Sequence, residues 1–325
     1  MASYLVTGVA GFIAARVAEL LLEDGHKVVG VDDMNEAYDV RMKEHRLQRL
    51  LTMPSFTFHH LDVSDRQAVS QLAMPRSPFE AVFNLAARAG VRASLENPWV
   101  YLNTNVIGTL NLLELCRQRG IPKFILASTS SVYGANAPLP TPEDADSSHP
   151  LQPYAASKKS AEALGYSYHF LYDLDITVFR YFTVYGPAGR PDMVMFRFTQ
   201  WAAEGQPVRI NGDGTQSRGF TYVDDIARGT ILGLRNLGYE IINLGGHEII
   251  TINELLHMIE QRVGKKAEVV HFPRHPADAF TNWANVEKAK QLLGWVPQVS
   301  LEEGVTQMVD WYNAERSWAS QIKTE

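Results

Sequence analysis

The chain has 325 residues, enough for two hydrophobic cores. Its 46% hydrophobic and 20% charged content is that of an ordinary globular protein. A net charge of −6 argues against nucleic acid as a partner.

In chain order, "YLVTG" (4–8) is a strand candidate that enters a glycine turn and a helical pattern at 12–24. No Lys or Arg precedes this segment and glycines interrupt it, so it does not read as a secretory signal. Further strands are predicted at 27–32, 56–62, 81–86, 123–128 and 175–181, with helices at 64–74, 99–119 and 153–173. The basic cluster "RMKEHRLQR" (41–49) reads as a solvated helix face. In "SDRQ", Ser64 and Gln67 have capping-box spacing. Cys116 lies in the apolar helical pattern "LLELC" and reads as a core residue, and a lone cysteine excludes an internal disulfide framework.

Apolar runs separated by helices predict an α/β fold with a doubly wound parallel sheet over residues 1–180. Past 185 the rhythm changes: turn-rich "YGPAGRPD" and "NGDGTQSRG" separate helices near 192–204, 222–237, 251–263 and 300–318. A smaller α/β domain over 181–325, covering a cleft, is the simplest expectation. "EIINLGG" (240–246) is predicted to return as a strand to the main sheet, and "NGDGTQ" reads as a hairpin turn. No run approaches the ~18 apolar residues of a membrane span, so a soluble, cytoplasmic protein without a membrane partner is expected.

"VTGVAGFIAARVAELL" places Gly8 and Gly11 between the first strand and an amphipathic helix, where backbone amides and the helix N-terminus can meet a pyrophosphate. Ala14 takes the close-packing position. Asp32, 21 residues after Gly11, ends the second strand and can bind both adenosine-ribose hydroxyls while repelling a 2′-phosphate. These features point to a Rossmann-type site for NAD. Asp62 either reaches the adenine or caps its own loop.

"PYAASKKSAEAL" sets Tyr154 and Lys158 four apart on one helical face. Lowering a tyrosine pKa by ~3 units takes about 4 kcal/mol. An ammonium ~4 Å away supplies roughly that at an effective dielectric of ~20. Upstream, "ASTSSVYG" (127–134) presents Ser128, Thr129, Ser130 and Ser131 with no acid among them.

The Thr-Gly-x-x-Gly turn, "NLAA" (84–87), the hydroxyl strand and Tyr-x-x-x-Lys together resemble the extended short-chain dehydrogenase/reductase family over nearly the whole chain. That resemblance implies NAD contacts from Gly8, Gly11, Phe12, Ile13, Asp32, Asn35, Asp62, Val63, Leu85, Ala86, Ala87, Asn105, Tyr154, Lys158 and Tyr181. It also implies that Thr129 acts with Tyr154 and Lys158 in catalysis, and that helices 99–119 and 153–173 form a homodimer. "VDDMNEAYDVRMKEHRL", "AARAGVRASLENP" and "FRYFTVYGPAGRPDM" are similar to segments of members acting at C4 of UDP-glucuronate. The implied reaction is epimerisation at C4, with a UDP-sugar as partner. Members that dehydrate or decarboxylate the sugar carry acids where this chain has Ser130 and Ser131.

Substrate contacts implied in the same way are Gly90, Arg92, Thr129, Ser130, Ser131, Tyr154, Thr183, Arg190, Arg218 and Asp278. Ser130 and Thr183 are the first choices for a carboxylate. Arg92 is either a ligand or structural. The chain departs from the family pattern with Asn84 for His, Gly219 for Asp and Ala277 for Gly. Alternatives are a 4-epimerase for UDP-glucose or an N-acetylhexosamine, a decarboxylase, and a non-catalytic NAD-binding protein. Pro273 spoils a helical metal face between His271 and His275, and no metal is expected.

Overall fold

The computed structural model of the chain describes residues 1–73, 78–246, 248–273 and 281–324. Asp278 and His275 therefore lie outside the described residues. The first half runs β1 (Ser3–Thr7), α1 (Phe12–Glu23), β2 (Lys27–Asp32), α2 (Arg41–Leu51), β3 (Phe56–His60), α3 (Arg66–Ser70) and β4 (Ala81–Asn84). After α4 (Ala93–Glu96), α5 (Pro98–Tyr101) passes through a π-helical turn, Leu102–Ile107, into α6 (Gly108–Arg119). Then come β5 (Lys123–Thr129), a short 3-10 turn (Ser130–Tyr133), α7 (Pro153–Tyr172) and β6 (Asp175–Tyr181).

The second half adds β7 (Thr183–Tyr185), α8 (Val194–Glu204), β8 (Val208–Asn211), β9 (Ser217–Tyr222), α9 (Val223–Leu232) and β10 (Tyr239–Leu244). It ends with β11 (Glu248–Thr251), α10 (Ile252–Val263), β12 (Val269–Phe272), β13 (Thr281–Asn282), α11 (Glu287–Leu293), α12 (Leu301–Ala314) and α13 (Arg316–Ala319).

Seven parallel strands form the main sheet in the order β10-β6-β5-β4-β1-β2-β3. β1, β4 and β5 are buried throughout, which is why they read as continuous apolar runs. One core lies against α1, with Val17, Leu21, Phe83 and Ile125; the opposite core holds Leu112, Cys116, Phe124 and Ile176. The chain therefore has the doubly wound architecture expected, and β10 comes back to the sheet beside β6. α9 is tied to α1 by the Arg16–Asp224 ion pair at 2.9 Å. A third core, including Trp201, Phe220, Leu255 and Met308, fills the C-terminal layer.

Several expectations change. The helix expected at 64–74 has only its Arg66–Ser70 turn, capped by Asp65, whose carboxylate accepts the N–H groups of Gln67 and Ala68. Ser64 is not the cap: of two adjacent short polar residues, the one with extended backbone next to the first turn wins. "NGDGTQ" is not a hairpin. β8 pairs in parallel with β12, whereas β9 joins β7, β11 and β13, so the turn hands the chain from one sheet to another. The helix expected over 300–318 is divided between α12 and α13.

The basic cluster 41–49 is only partly solvated. Lys43 and Arg46 are buried: Lys43 pairs with Asp32 at 3.2 Å, and Arg46 donates to the carbonyls of Ala188 and Ala10. They share α2's inner face with Met42, Leu47 and Leu50, and their long stems allow charge to be carried inward.

Behind β5, Arg180 and Glu162 form a buried two-point pair at 2.8 and 2.9 Å, each side chain 2% exposed. Burial favours the neutral acid, but the Arg180 bonds outweigh it and hold the Glu162 carboxyl below its ordinary pKa. Replacing Arg180 by Met leaves that carboxylate without its main partner and should cost about 3–5 kcal/mol near neutral pH. Urea unfolding measures this, and the deficit should shrink in acid as Glu162 becomes protonated.

Candidate active site

The C-terminal ends of β1, β2 and β4 meet at the glycine turn. Gly8 has φ +67°, and a Cβ there would sit 2.7 Å from the Ala86 Cα. A Cβ on Gly11 would sit 2.8 Å from the Gly8 carbonyl oxygen. Both positions need glycine, for a left-handed turn and for close approach. α1 opens with Gly11 as N-cap, with neither a capping side chain nor an acid in its first turn. The first N–H groups of a 12-residue helix are thus left for an external acceptor. A dinucleotide pyrophosphate fits this cradle, with Phe12 and Ile13 forming the first turn behind it.

Asp32 ends β2 in a pocket of donors: Ala10 N–H at 3.2 Å, Met34 N–H at 2.8 Å and the Lys43 ammonium at 3.2 Å. Asp62 is exposed and accepts the Ser64 N–H at 2.8 Å, which is the loop-capping alternative. Val63 is buried and its carbonyl receives Asn111 Nδ2 at 2.9 Å. The loop Leu85–Ala87 leaves β4, with the Ala86 N–H donating to Thr7 Oγ1 at 3.1 Å. Asn84, the departure from His, bridges Thr7 and Thr109 with its amide.

Three other residues assigned to the cofactor have polar ends occupied within the protein. Asn35 Oδ1 accepts from Arg88 Nη1 at 2.8 Å and from the Ala37 N–H. Asn105, in the π turn, accepts the Arg88 N–H and donates to the Arg88 carbonyl and to Ser157 Oγ. The Tyr181 hydroxyl is buried against Thr230 Oγ1 at 2.8 Å, and burial raises its pKa.

α7 starts at Pro153, whose missing N–H costs nothing in a first turn, so Tyr154 and Lys158 face β5 from consecutive turns. Thr129 ends β5 and caps the 3-10 turn, its Oγ1 accepting the Ser131 N–H at 3.2 Å. With its oxygen so used, the Thr129 proton is free to point at the Tyr154 phenol, and the Thr129 hydrogen bond lowers the phenol pKa. Arg190, bound to Asp192 at 2.6 and 3.1 Å, adds a second lowering influence through its charge. Burial outweighs both, and Tyr154 stands above its ordinary value.

The Lys158 ammonium donates to the Ala127 carbonyl at 2.8 Å. Sharing a helical face does not decide where a long side chain turns. Burial pushes Lys158 down to about 8, opposed by the charge of Glu162.

The hydroxyl run divides between two sides of the strand. Ser128 donates to Glu162 Oε1 at 2.6 Å, behind the sheet. Ser130 accepts the Asn282 amide at 3.0 Å, while Ser131 follows in the 3-10 turn. Thr183 opens β7, in register with Phe220 of β9. Arg218 lies on β9 in register with Asn282, its Nη1 donating to the Ser217 carbonyl at 2.7 Å. Arg92 is exposed at the start of α4, and Gly90, with φ +120°, lies beside the Tyr101 hydroxyl.

Some site residues carried no sequence signal. Tyr101 packs edge-on against Tyr154, centroids 6.1 Å apart, and its hydroxyl donates to the Ala89 carbonyl. Lys43 under Asp32 and Asn282 on Ser130 come from elements whose neighbours are set by tertiary packing. Only the Lys43 segment carried a hint, a cation on the apolar face of α2.

The glycine cradle at the end of β1 and the carboxylate that ends β2 are the features of a dinucleotide-dependent enzyme. The chain belongs to the NAD dependent epimerase/dehydratase family, which it matches over residues 4–245. It is 55% identical over 312 residues to the UDP-glucuronate 4-epimerase of Thermodesulfobacterium geofontis, covering 96% of each chain. The UDP-glucuronic acid 4-epimerase of Bacillus cereus, a tyrosine-to-phenylalanine variant in complex with UDP-4-deoxy-4-fluoro-glucuronic acid and NAD, superposes with a TM-score of 0.90 at 36% identity. The match covers 96% of this chain and 99% of that one. UDP-glucose 4-epimerase of Thermotoga maritima with UDP-glucose gives 0.89 at 35%, covering 97% and 99%. Among the described residues no group of three metal-ligating side chains occurs, and no helix is long and apolar enough to cross a membrane.

The buried ammonium of Lys158 has a measurable consequence. Depression from 10.5 to about 8 corresponds to about 3 kcal/mol of destabilisation at neutral pH. Between these values the unfolded chain holds the proton that the folded one has lost, so stability rises with pH across that window. In cofactor-free protein, Lys158→Met should therefore be more stable than wild type at pH 7 by up to about 3 kcal/mol. Its advantage should fade as pH climbs from 8 to 10.5, as read by urea unfolding at several pH values.

Proposed function

We propose that the chain is a NAD-dependent UDP-glucuronate 4-epimerase, an isomerase interconverting UDP-glucuronate and UDP-galacturonate through a 4-keto sugar. The observation behind this reading is the Thr129–Ser131 floor beside Tyr154. It offers hydroxyls, whereas the carboxylate bonded to Ser128, that of Glu162, is locked to Arg180. Dehydration needs an acid and a base at the sugar. A hydroxyl floor suits hydride removal and return.

NAD, held by the Gly8–Gly11 turn, Asp32, the Leu85–Ala87 loop and the Tyr154–Lys158 helix, supplies hydride acceptance and donation at C4. Tyr154 takes the O4 proton and gives it back. Thr129 donates to the phenol oxygen and so favours the phenolate, and the Arg190 charge acts in the same direction. Lys158, one turn further along the same helix with its ammonium on the Ala127 carbonyl, supplies the positive charge that lowers the Tyr154 pKa toward the working range, and it is set to bind the cofactor ribose. Arg218 takes the diphosphate and Asp278 the uridine ribose.

Ser130 and Thr183 hold the C5 carboxylate. The 4-keto uronate is a β-keto acid and loses carbon dioxide if its C–CO₂ bond lines up with the ketone, so the hydroxyls also protect the intermediate. A homodimer through α5–α6 and α7 accords with the exposure of Trp99, Leu102 and Ile107 on the first and Tyr166 and Phe170 on the second. A buried, unpaired cysteine suits a cytoplasmic setting. Epimerisation of UDP-glucose is the second reading, motivated by the Thermotoga maritima likeness.

Incubation with UDP-glucuronate or UDP-glucose, followed by NMR of the product sugar, separates the two readings. Tyr154→Phe should lower kcat by about 10²–10⁴-fold and leave substrate binding in place, as measured by calorimetry. Thr183→Val should release UDP-pentose alongside a slower epimerisation. A variant that makes no pentose and epimerises at the wild-type rate removes the protective role of Thr183.

A further inference from the structure

The ends of β2 and β4 stand on either side of β1, two strand spacings or about 10 Å apart. Asn35 follows β2 and Arg88 follows β4, and their side chains bridge that gap: Arg88 Nη1 donates to Asn35 Oδ1 at 2.8 Å. Between them, at the end of β1, lies the Gly8–Gly11 turn. Each partner is secured separately. The Arg88 backbone is gripped at N–H and carbonyl by the Asn105 amide, at 2.9 and 3.0 Å. Asn35 donates from Nδ2 to Asp33, and its oxygen also receives the Ala37 N–H at 3.1 Å.

We infer that Arg88 and Asn35 form a clasp across the dinucleotide bound on the Gly8–Gly11 turn, slowing its escape so that one NAD serves many turnovers. The inference rests on the epimerase reading above, in which hydride leaves and returns and the cofactor has no need to exchange. Arginine suits the task because its planar fork keeps its charge at any working pH and reaches a fixed acceptor. A neutral amide partner lets the clasp open without stranding a buried counter-charge. Both residues position the cofactor; neither touches the reacting atoms.

The test compares wild type with Arg88→Met, Asn35→Ala and the double variant, each purified as holoenzyme. The dissociation rate of NAD is read by trapping released NAD with an excess of a scavenging dehydrogenase. Bound NAD per chain is measured after gel filtration. Each single change should speed release by on the order of ten- to a hundredfold, the effect of losing one charge-assisted hydrogen bond. The double variant should release NAD no faster than the faster single one, because both remove the same bond. Arg88→Lys should recover part of the retention. Saturating NAD should return kcat to Arg88→Met, which separates a lost clasp from a damaged fold.

An unchanged release rate in either single variant, or effects that multiply in the double, overturns the clasp. No rescue of Arg88→Met by saturating NAD overturns it as well. Failure of the epimerase reading looks different: wild type would retain NAD yet turn over no UDP-uronate.

Discussion

Asn105 is where the cofactor side and the catalytic side of the cleft are joined. Its amide accepts from the Arg88 N–H, donates to the Arg88 carbonyl and donates to Ser157 Oγ, and Ser157 in turn donates to the Tyr154 carbonyl. The Asn105 carbonyl continues the network through Thr109, Asn84 and Thr7 to the Ala86 N–H. A single set of buried hydrogen bonds thus links the ends of β1 and β4, the helix α5–α6 and the start of α7. Buried networks of this kind are stable only when every member is satisfied, so displacement at one end is resisted at the other. The π turn matters because an extra residue in it rotates α6 relative to α5. Asn105 meets Arg88 and Ser157 on one side, and Gly108 meets Val63 on the other.

What was legible in the sequence was the part governed by local pattern. β1, β4 and β5 are buried on both faces, so each announces itself as an apolar run. The glycine turn was legible because Gly8 and Gly11 have no substitute at those positions. The π turn was not, since six residues of altered winding leave no trace in a hydrophobic period. "NGDGTQ" was misread for a related reason. Glycines at positive φ mark a turn, but the strands it joins find partners far away, β8 with β12 and β9 with β7. Turn chemistry is local and strand pairing is not.

Charge was the least legible property. The pattern at 41–49 suggested solvent because it is rich in cations, yet Lys43 and Arg46 point inward, where Asp32 and two carbonyls receive them. The Tyr154–Lys158 spacing implies a shared face but not the direction of the ammonium, which Ala127 claims. Arg190, on a loop after β7, is named by the family resemblance as a substrate contact, and its influence on the Tyr154 phenol follows only from the folded chain. Long flexible cations are directed by acceptors that only the folded chain assembles.

The open N-terminus of α1 ties these points to the life of the protein. Three helices here cap their first turn with a side chain of their own, α3 with Asp65, α10 with Thr251 and α12 with Ser300. α1 has no such residue, and it packs against the central sheet. An anion that completes it is also a component of the core. Occupancy and conformational stability are then linked by mass action, so that bound ligand adds to the stability of the folded chain. Retention of the cofactor and resistance to unfolding are in that sense one quantity.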